Sequence, residues 1–198
     1  MLIKICGITN QADAQAAIDE GATALGFNFY KPSPRYIAPE AAAALTAKLP
    51  PNILKVGVFV NESPADVAAI TATAGLDVAQ LHGDETPEIA PPNLRLWKAY
   101  RVKDDFSANR LREFPAEAYL LDSPTELYGG SGHPFDWNLA RGIGGKIVLA
   151  GGLDASNVLK AIETAQPWGV DACSRLESEP GKKDRKKLAA FMKVLRDL

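Results

Sequence analysis

The first residue of this chain equipped for chemistry is a cysteine. It stands in Lys4-Ile5-Cys6-Gly7-Ile8-Thr9, a short apolar strand that ends on a cysteine and turns on a glycine. A thiol at the carboxyl end of a strand sits at the rim of a pocket, where its thiolate serves as nucleophile or base. The same position suits a free cysteine packed as a small hydrophobe. The chain has 2 cysteines, and the other is Cys173.

Other reactive types recur where apolar runs end. Asp122 follows Tyr119-Leu120-Leu121, and a carboxylate desolvated beside such a run suits general-acid work near neutral pH. A turn cap is the plainer role. His82, in Gln80-Leu81-His82-Gly83, is either an acid–base or substrate-binding group or a hydrogen-bonded structural histidine. Arg35 follows Lys31-Pro32-Ser33-Pro34 and offers a bidentate fork to a carboxylate, unless it is a surface arginine.

Glycines supply the anion chemistry. Ala150-Gly151-Gly152-Leu153 reads as a turn directly between a strand and a helix N-terminus, where free N–H groups and the helix dipole favour negative charge. A tight turn without a ligand is the alternative. Cys173-Ser174-Arg175, after the next strand, brings a hydroxyl and a guanidinium to the same point and favours phosphate. The loop Tyr128-Gly129-Gly130-Ser131-Gly132 reads either as a mobile cover over a ligand or as a plain connection.

These residues need a frame. Apolar runs at Leu2 to Cys6, Ala24 to Asn28, Leu54 to Val60, Asp77 to Leu81, Leu94 to Ala99, Ala118 to Leu121, Lys146 to Ala150 and Val170 to Ala172 read as strands. Helical stretches separate them, with start signals at Asn10, at Ser63-Pro64, at Pro39-Glu40 and at Thr86-Pro87; a further helix is expected from Asp154 to Thr164. Strands alternating with helices, apolar on both faces, predict a parallel sheet. An open doubly wound sheet competes, but the first strand–turn–helix unit lacks a G-x-G-x-x-G run. The count of strands favours an α/β fold of one domain over 1–198, a (β/α)8 TIM barrel whose active site lies at the carboxyl ends of the strands.

Composition narrows the function classes. A net charge of −2 supplies no basic field for nucleic acid. No window is apolar enough for a membrane span, and no leader-like segment opens the chain. Two cysteines without a C-x-x-C pair predict neither a disulfide framework nor zinc, so a cytoplasmic, reduced protein is expected. The basic run Lys182 to Lys187 reads as the solvated face of the last helix. No long apolar surface stripe stands out, and a monomer is expected.

In combination these blocks resemble a known family. Lys4 to Thr9, Gly26-Phe27-Asn28-Phe29 with Ser33-Pro34-Arg35-Tyr36, Val56 to Asn61, Gln80 to Gly83, Phe135-Asp136-Trp137, Gly151-Gly152-Leu153 and Pro180-Gly181-Lys182-Lys183-Asp184 resemble, in order, the motifs of phosphoribosylanthranilate isomerase. The resemblance implies an Amadori rearrangement of N-(5-phosphoribosyl)anthranilate in tryptophan biosynthesis, without metal or cofactor. It implies Asp122 as general acid, Cys6 as general base and Arg35 as the holder of the anthranilate carboxylate. His82 and Asp171 would line the substrate site, and Gly151, Gly152, Ser174 and Arg175 would cradle the phosphate.

One block departs from the family's pattern. Asp171-Ala172-Cys173-Ser174-Arg175-Leu176-Glu177 carries cysteine where the family usually has serine, and arginine where it usually has glycine. A left-handed glycine site would strain an arginine, so an altered loop is expected. In a closed barrel the first and last strands are neighbours, so Cys6 and Cys173 end adjacent strands, close enough for oxidation to join them if their Cα atoms lie within about 7 Å. Three alternatives stay open: another phosphosugar epimerase or lyase, the histidine-pathway isomerase type with aspartate in place of Cys6, and a non-catalytic phosphate-binding module.

Overall fold

The computed structural model describes residues 1–103, 105–123 and 135–196, apart from the side chain of Ile89. Eight parallel strands close into a barrel: β1 (Leu2–Ile5), β2 (Ala24–Asn28), β3 (Leu54–Phe59), β4 (Val78–Leu81), β5 (Leu96–Arg101), β6 (Ala118–Asp122), β7 (Ile147–Leu149) and β8 (Gly169–Ala172). Closure comes from β1, which pairs with β2 through Lys4 and Ala24 and with β8 through Ile5 and Ala172. Around them run α1 (Gln11–Asp19), α2 (Pro39–Thr46), α3 (Pro64–Thr73), α4 (Asn109–Glu113), α5 (Val158–Ala165) and α6 (Arg185–Arg196).

Two helices, α1 and α3, start where side chains satisfy orphan N–H groups. Asn10 and Ser63 each accept from the N–H of the residue three positions on, Asp13 and Asp66. Pro64 and Pro39 occupy first turns, where a missing N–H costs nothing. In α6 the buried residues Leu188, Phe191, Met192 and Leu195 recur at helical spacing and seat the helix on the barrel.

Strand alternation sorts the core into two shells. Ala24, Val56, Val78, Trp97, Ala99, Ala118, Leu120, Val148 and Ala150 form one cluster, with Leu2 and Leu54 against it, and fill the barrel interior. A larger cluster lies between strands and helices. Trp97, fully buried, is the bulkiest interior side chain, and its truncation to alanine is expected to cost about 3–5 kcal/mol. Side chains two apart along a strand share a face. Continuing each interior row toward the carboxyl ends therefore delivers Lys4 and Cys6, Gly26 and Asn28, Gln80 and His82, Asp122, Gly152, Asp171 and Cys173 to one mouth.

Three local expectations need correction. Thr86-Pro87 opens only a single 3-10 turn, Pro87–Ile89, not a helix. The helix expected from Asp154 begins at Val158, because Asp154 and Ser156 spend their polar groups on a turn in which Ser156 N–H donates to Asp154 Oδ1 at 2.8 Å. The basic run is not one solvated face: Lys182 and Lys183 form a strand, β10, paired with β9 (Glu177–Glu179), and Lys183 is buried against Glu177. The glycine-rich loop at 128–132 lies outside the described residues.

Candidate active site

Cys6, Arg35, His82, Asp122, Gly151, Gly152, Asp171, Ser174 and Arg175 all line one cavity at the carboxyl ends of the strands, of about 750 Å³ including its opening to solvent. These are the nine candidate site residues; the glycine-rich motif at 128–132 lies outside the described residues.

Cys6 sits on an electropositive floor. Lys4, fully buried, donates from Nζ to Asp171 Oδ2 at 3.0 Å, and its charge acts on the neighbouring Cys6 thiol. Burial pulls the Lys4 ammonium down, but the Asp171 and Cys6 charges outweigh it and hold its pKa above the ordinary value. Burial and the Cys6 charge push Asp171 up to about 7 against the pull of Lys4. The Cys6 thiol is held well below its usual range, first by a hydrogen bond from Cys173, with burial opposing, and then by Lys4 and Lys183. A thiol held down in this way ionises more readily and suits the part of a base. Gly26 makes room for it, since a side chain on β2 there would collide with both the Cys6 sulfur and Lys4 Nζ.

Across the mouth, Asp122 ends β6. Ser123 N–H donates to its Oδ1 at 2.8 Å, and His82 Nε2 lies 3.2 Å from its Oδ2. Gln80 Nε2 lies 3.0 Å from His82 Nδ1; with the amide N–H donating there, the neutral ring carries its proton on Nε2, aimed at Asp122. Gly151, at φ +83°, packs so close that a side chain would run into Asp122 and Ser123. It therefore seats the carboxylate as well as turning the chain toward an anion.

Arg35 is not a surface arginine. Its guanidinium forks onto Glu177, with Nε 3.0 Å from Oε1 and Nη2 2.7 Å from Oε2. The loop aims it: Tyr30 N–H donates to Asn28 Oδ1, Asn28 Nδ2 donates to Ser33 Oγ, and Arg35 N–H donates to the same hydroxyl. Glu177 and Arg35 hold each other in their charged forms at the cavity wall.

Ser174 and Arg175 lie in a one-turn 3-10 helix, Ser174–Leu176, and Arg175 is absent from the residues with positive φ. Arg175 therefore carries no left-handed strain. Arg175 Nη1 donates to Asp154 Oδ2 at 2.7 Å at the cavity rim. Because α5 begins beyond the Asp154 turn, Gly151–Leu153 and the Ser174 turn line the cavity here, and no helix N-terminus follows directly after the glycines.

Sequence reasoning overlooked Lys4, Lys183 and Glu177. A signal for Lys4 was present, since it stands two before Cys6 on a strand and so shares its inward face. Lys183 and Glu177 had none, because the run from Lys182 reads as the last helix and nothing local marks the β9–β10 hairpin that brings them in.

The comparisons agree with this geometry. Residues 3–194 match the family model described as N-(5'phosphoribosyl)anthranilate (PRA) isomerase. An N-(5'-phosphoribosyl)anthranilate isomerase of Solibacter usitatus is 58% identical over 193 residues, covering 97% of this chain and 96% of that protein. A phosphoribosyl anthranilate isomerase from Thermus thermophilus superposes with TM-score 0.93 at 36% identity, over 100% of this chain and 99% of that one. Another, solved in complex with reduced 1-(o-carboxyphenylamino)-1-deoxyribulose 5-phosphate, superposes with TM-score 0.88 at 38% identity over 100% of both chains. Matched along nearly its whole length by sequence and by fold, the chain belongs to the N-(5'-phosphoribosyl)anthranilate isomerase family.

Proposed function

We propose that this mouth converts N-(5-phosphoribosyl)anthranilate to 1-(2-carboxyphenylamino)-1-deoxyribulose 5-phosphate, with Cys6 and Asp122 as its base and acid. The observation that carries the assignment is the opposition of a cation-supported Cys6 thiolate and the Asp122–His82 pair across one cavity.

Asp122 in its protonated form gives its proton to the furanose ring oxygen. The C1–O bond breaks with its electron pair to oxygen, and the anthranilate nitrogen lone pair forms the C1=N bond. His82 Nε2–H and Ser123 N–H then steady the carboxylate left behind. The Cys6 thiolate takes the proton from C2; that C–H pair becomes C1=C2, and the C=N pair returns to nitrogen. The resulting enolamine loses its O2 proton and gains one at C1, giving the ketone. No atom is added or lost, and no electron leaves the substrate.

Arg35 supports binding of the anthranilate carboxylate, since Glu177 takes only the Nε and Nη2 side of a group with five N–H donors. Gly151, Gly152, Ser174 and Arg175 support the phosphate. Asp171 Oδ1 and Gln80 Oε1, buried acceptors without a partner among the described residues, suit sugar hydroxyls at the cavity floor.

The chemistry needs a free Cys6 thiol, which fits a reduced cytoplasmic setting; both cysteines are free here. A monomer is the assembly this chain supports: among the described residues the exposed large apolar side chains are Met1, Leu159 and Trp168. One structural relative is described as monomers made from a dimeric isomerase of Thermotoga maritima, so sedimentation of this chain decides its own state.

The test is turnover. Substrate generated in place from anthranilate and a phosphoribosyl donor should lose its fluorescence only when this protein is added, and borohydride should trap a ketone product. Unchanged fluorescence with folded protein overturns the reading.

A further inference from the structure

The mechanism above uses one sulfur, and the structure holds two. Ile5 and Ala172 are paired across β1 and β8, and Cys6 N–H donates to Ala172 O at 2.9 Å, so Cys6 and Cys173 leave the sheet side by side. Both line the cavity, and of the groups around Cys6 it is the Cys173 side chain that does most to hold its thiol down, by a bond from the one to the other.

The direction of that bond follows from the neighbours. Glu177 Oε1 lies 3.9 Å from the Cys173 sulfur, at the limit of a contact, and already accepts from Arg35 Nε at 3.0 Å, Lys183 Nζ at 3.0 Å and Gly181 N at 3.3 Å. It has little capacity left for a thiol proton. Lys183 Nζ, 3.3 Å from Cys173 O and 3.9 Å from its sulfur, faces the Cys173 lone pairs as a donor. The remaining acceptor is the Cys6 sulfur, whose anionic form the Lys4 charge favours. A thiolate on Cys173 would also stand beside the Glu177 carboxylate, whereas one on Cys6 stands beside Lys4.

We propose that Cys173 is a positioning residue for the Cys6 base: its S–H donates to the Cys6 sulfur, and Lys183 and Glu177 set the direction of that bond. The inference deepens the reading of Cys6 as the base and rests on it. The charged groups that face the two sulfurs are Lys4 on β1, Arg35 after β2, Asp171 on β8, and Glu177 and Lys183 on the β9–β10 hairpin. Their summed effect favours a thiolate, and Cys173 decides which sulfur carries it and how firmly it is held toward the mouth. A serine keeps a donor at this place and an alanine removes it.

The experiment follows the alkylation rate of Cys6 by iodoacetamide against pH, read by peptide mass, in the wild type, Cys173→Ala and Cys173→Ser. It is paired with the pH profile of kcat/KM for each protein. Cys173→Ala is expected to move the Cys6 midpoint upward by about one pH unit, so that on the acid side of the midpoint the thiolate fraction falls about tenfold by the ordinary free-energy scale of a pKa unit. Cys173→Ser should return most of it, and KM on the high-pH plateau should stay unchanged. In the unaltered protein, thiolate ultraviolet absorbance should show one sulfur ionising low and the other far above it, which needs no variant to fold. Superimposable profiles for wild type and Cys173→Ala, or two sulfurs titrating together near the ordinary thiol value, overturn the proposal. A turnover failure with an intact alkylation shift would instead count against Cys6 as the base, so the two readings fail separately.

Discussion

Lys4 and Cys6 stand two residues apart on the inner face of the first strand, Cys6 just past the end of β1, and Lys4 Nζ, fully buried, donates to Asp171 Oδ2 at 3.0 Å while its charge holds the Cys6 thiol down. A buried ammonium is costly alone, and here it has two anionic neighbours. Base and counter-charge are thus built from a single strand.

Removing that cation has a pH signature. Asp171 is raised to about 7 from an ordinary 3.8, so its contribution to folding is fully present below about 3.8 and is lost as pH rises through 7. In Lys4→Met the carboxyl loses its partner and is pushed higher still. Urea midpoints at acidic and mildly alkaline pH should show the variant losing more stability on the alkaline side than the wild type does. Its Cys6 should also alkylate more slowly at neutral pH. Equal losses of stability in both proteins would contradict this role for Lys4.

Arg35 should act on binding. A hydrogen bond to a charged group contributes about 1.5–3 kcal/mol, so Arg35→Gln should raise KM roughly 10- to 150-fold while kcat changes little. A fall in kcat with unchanged KM would place Arg35 elsewhere in the reaction.

Two glycines make a matched pair. Gly151 and Gly142 share positive φ, +83° and +72°, but a side chain at 151 meets Asp122 and Ser123 while one at 142 meets nothing within 4 Å. Both alanine variants should lose about 1–2 kcal/mol from backbone strain alone. Only Gly151→Ala should also lose turnover, by a hundredfold or more, as measured by steady-state kinetics on folded protein. Equal activity in the two variants would show that Asp122 does not need its seat.

Adjacent thiols invite oxidation. Hydrogen peroxide should join Cys6 and Cys173, two thiols and one peroxide giving one disulfide and two waters, and dithiothreitol should restore activity. In Cys173→Ser the same treatment should carry Cys6 toward sulfinic acid, which dithiothreitol does not reverse. Identical recovery in both proteins would exclude the disulfide.

Much of this was legible in the residues. Cys6, His82, Asp122 and Asp171 mark strand ends because apolar runs stop there, and alternation then places them in one mouth. Asn10 and Ser63 announced their helices through their own side-chain oxygens. What escaped was long-range: Lys183 looks like part of a basic helix until the hairpin with Glu177 buries it, and Glu177 reveals nothing about Arg35, 142 residues away in the chain. Lys4 was passed over because a lysine in a strand ordinarily faces solvent. Only the closing of β1 against β8 supplies Asp171 as its partner.

The most direct test is kcat for Cys6→Ala and Asp122→Asn, with binding of the borohydride-reduced product measured on the same proteins. A positioned acid or base contributes about 10²–10⁴-fold, so each variant should fall about a thousandfold in kcat while binding the reduced product within a few-fold of the wild type. Either variant turning over within tenfold of the wild type would contradict the assignment of base and acid.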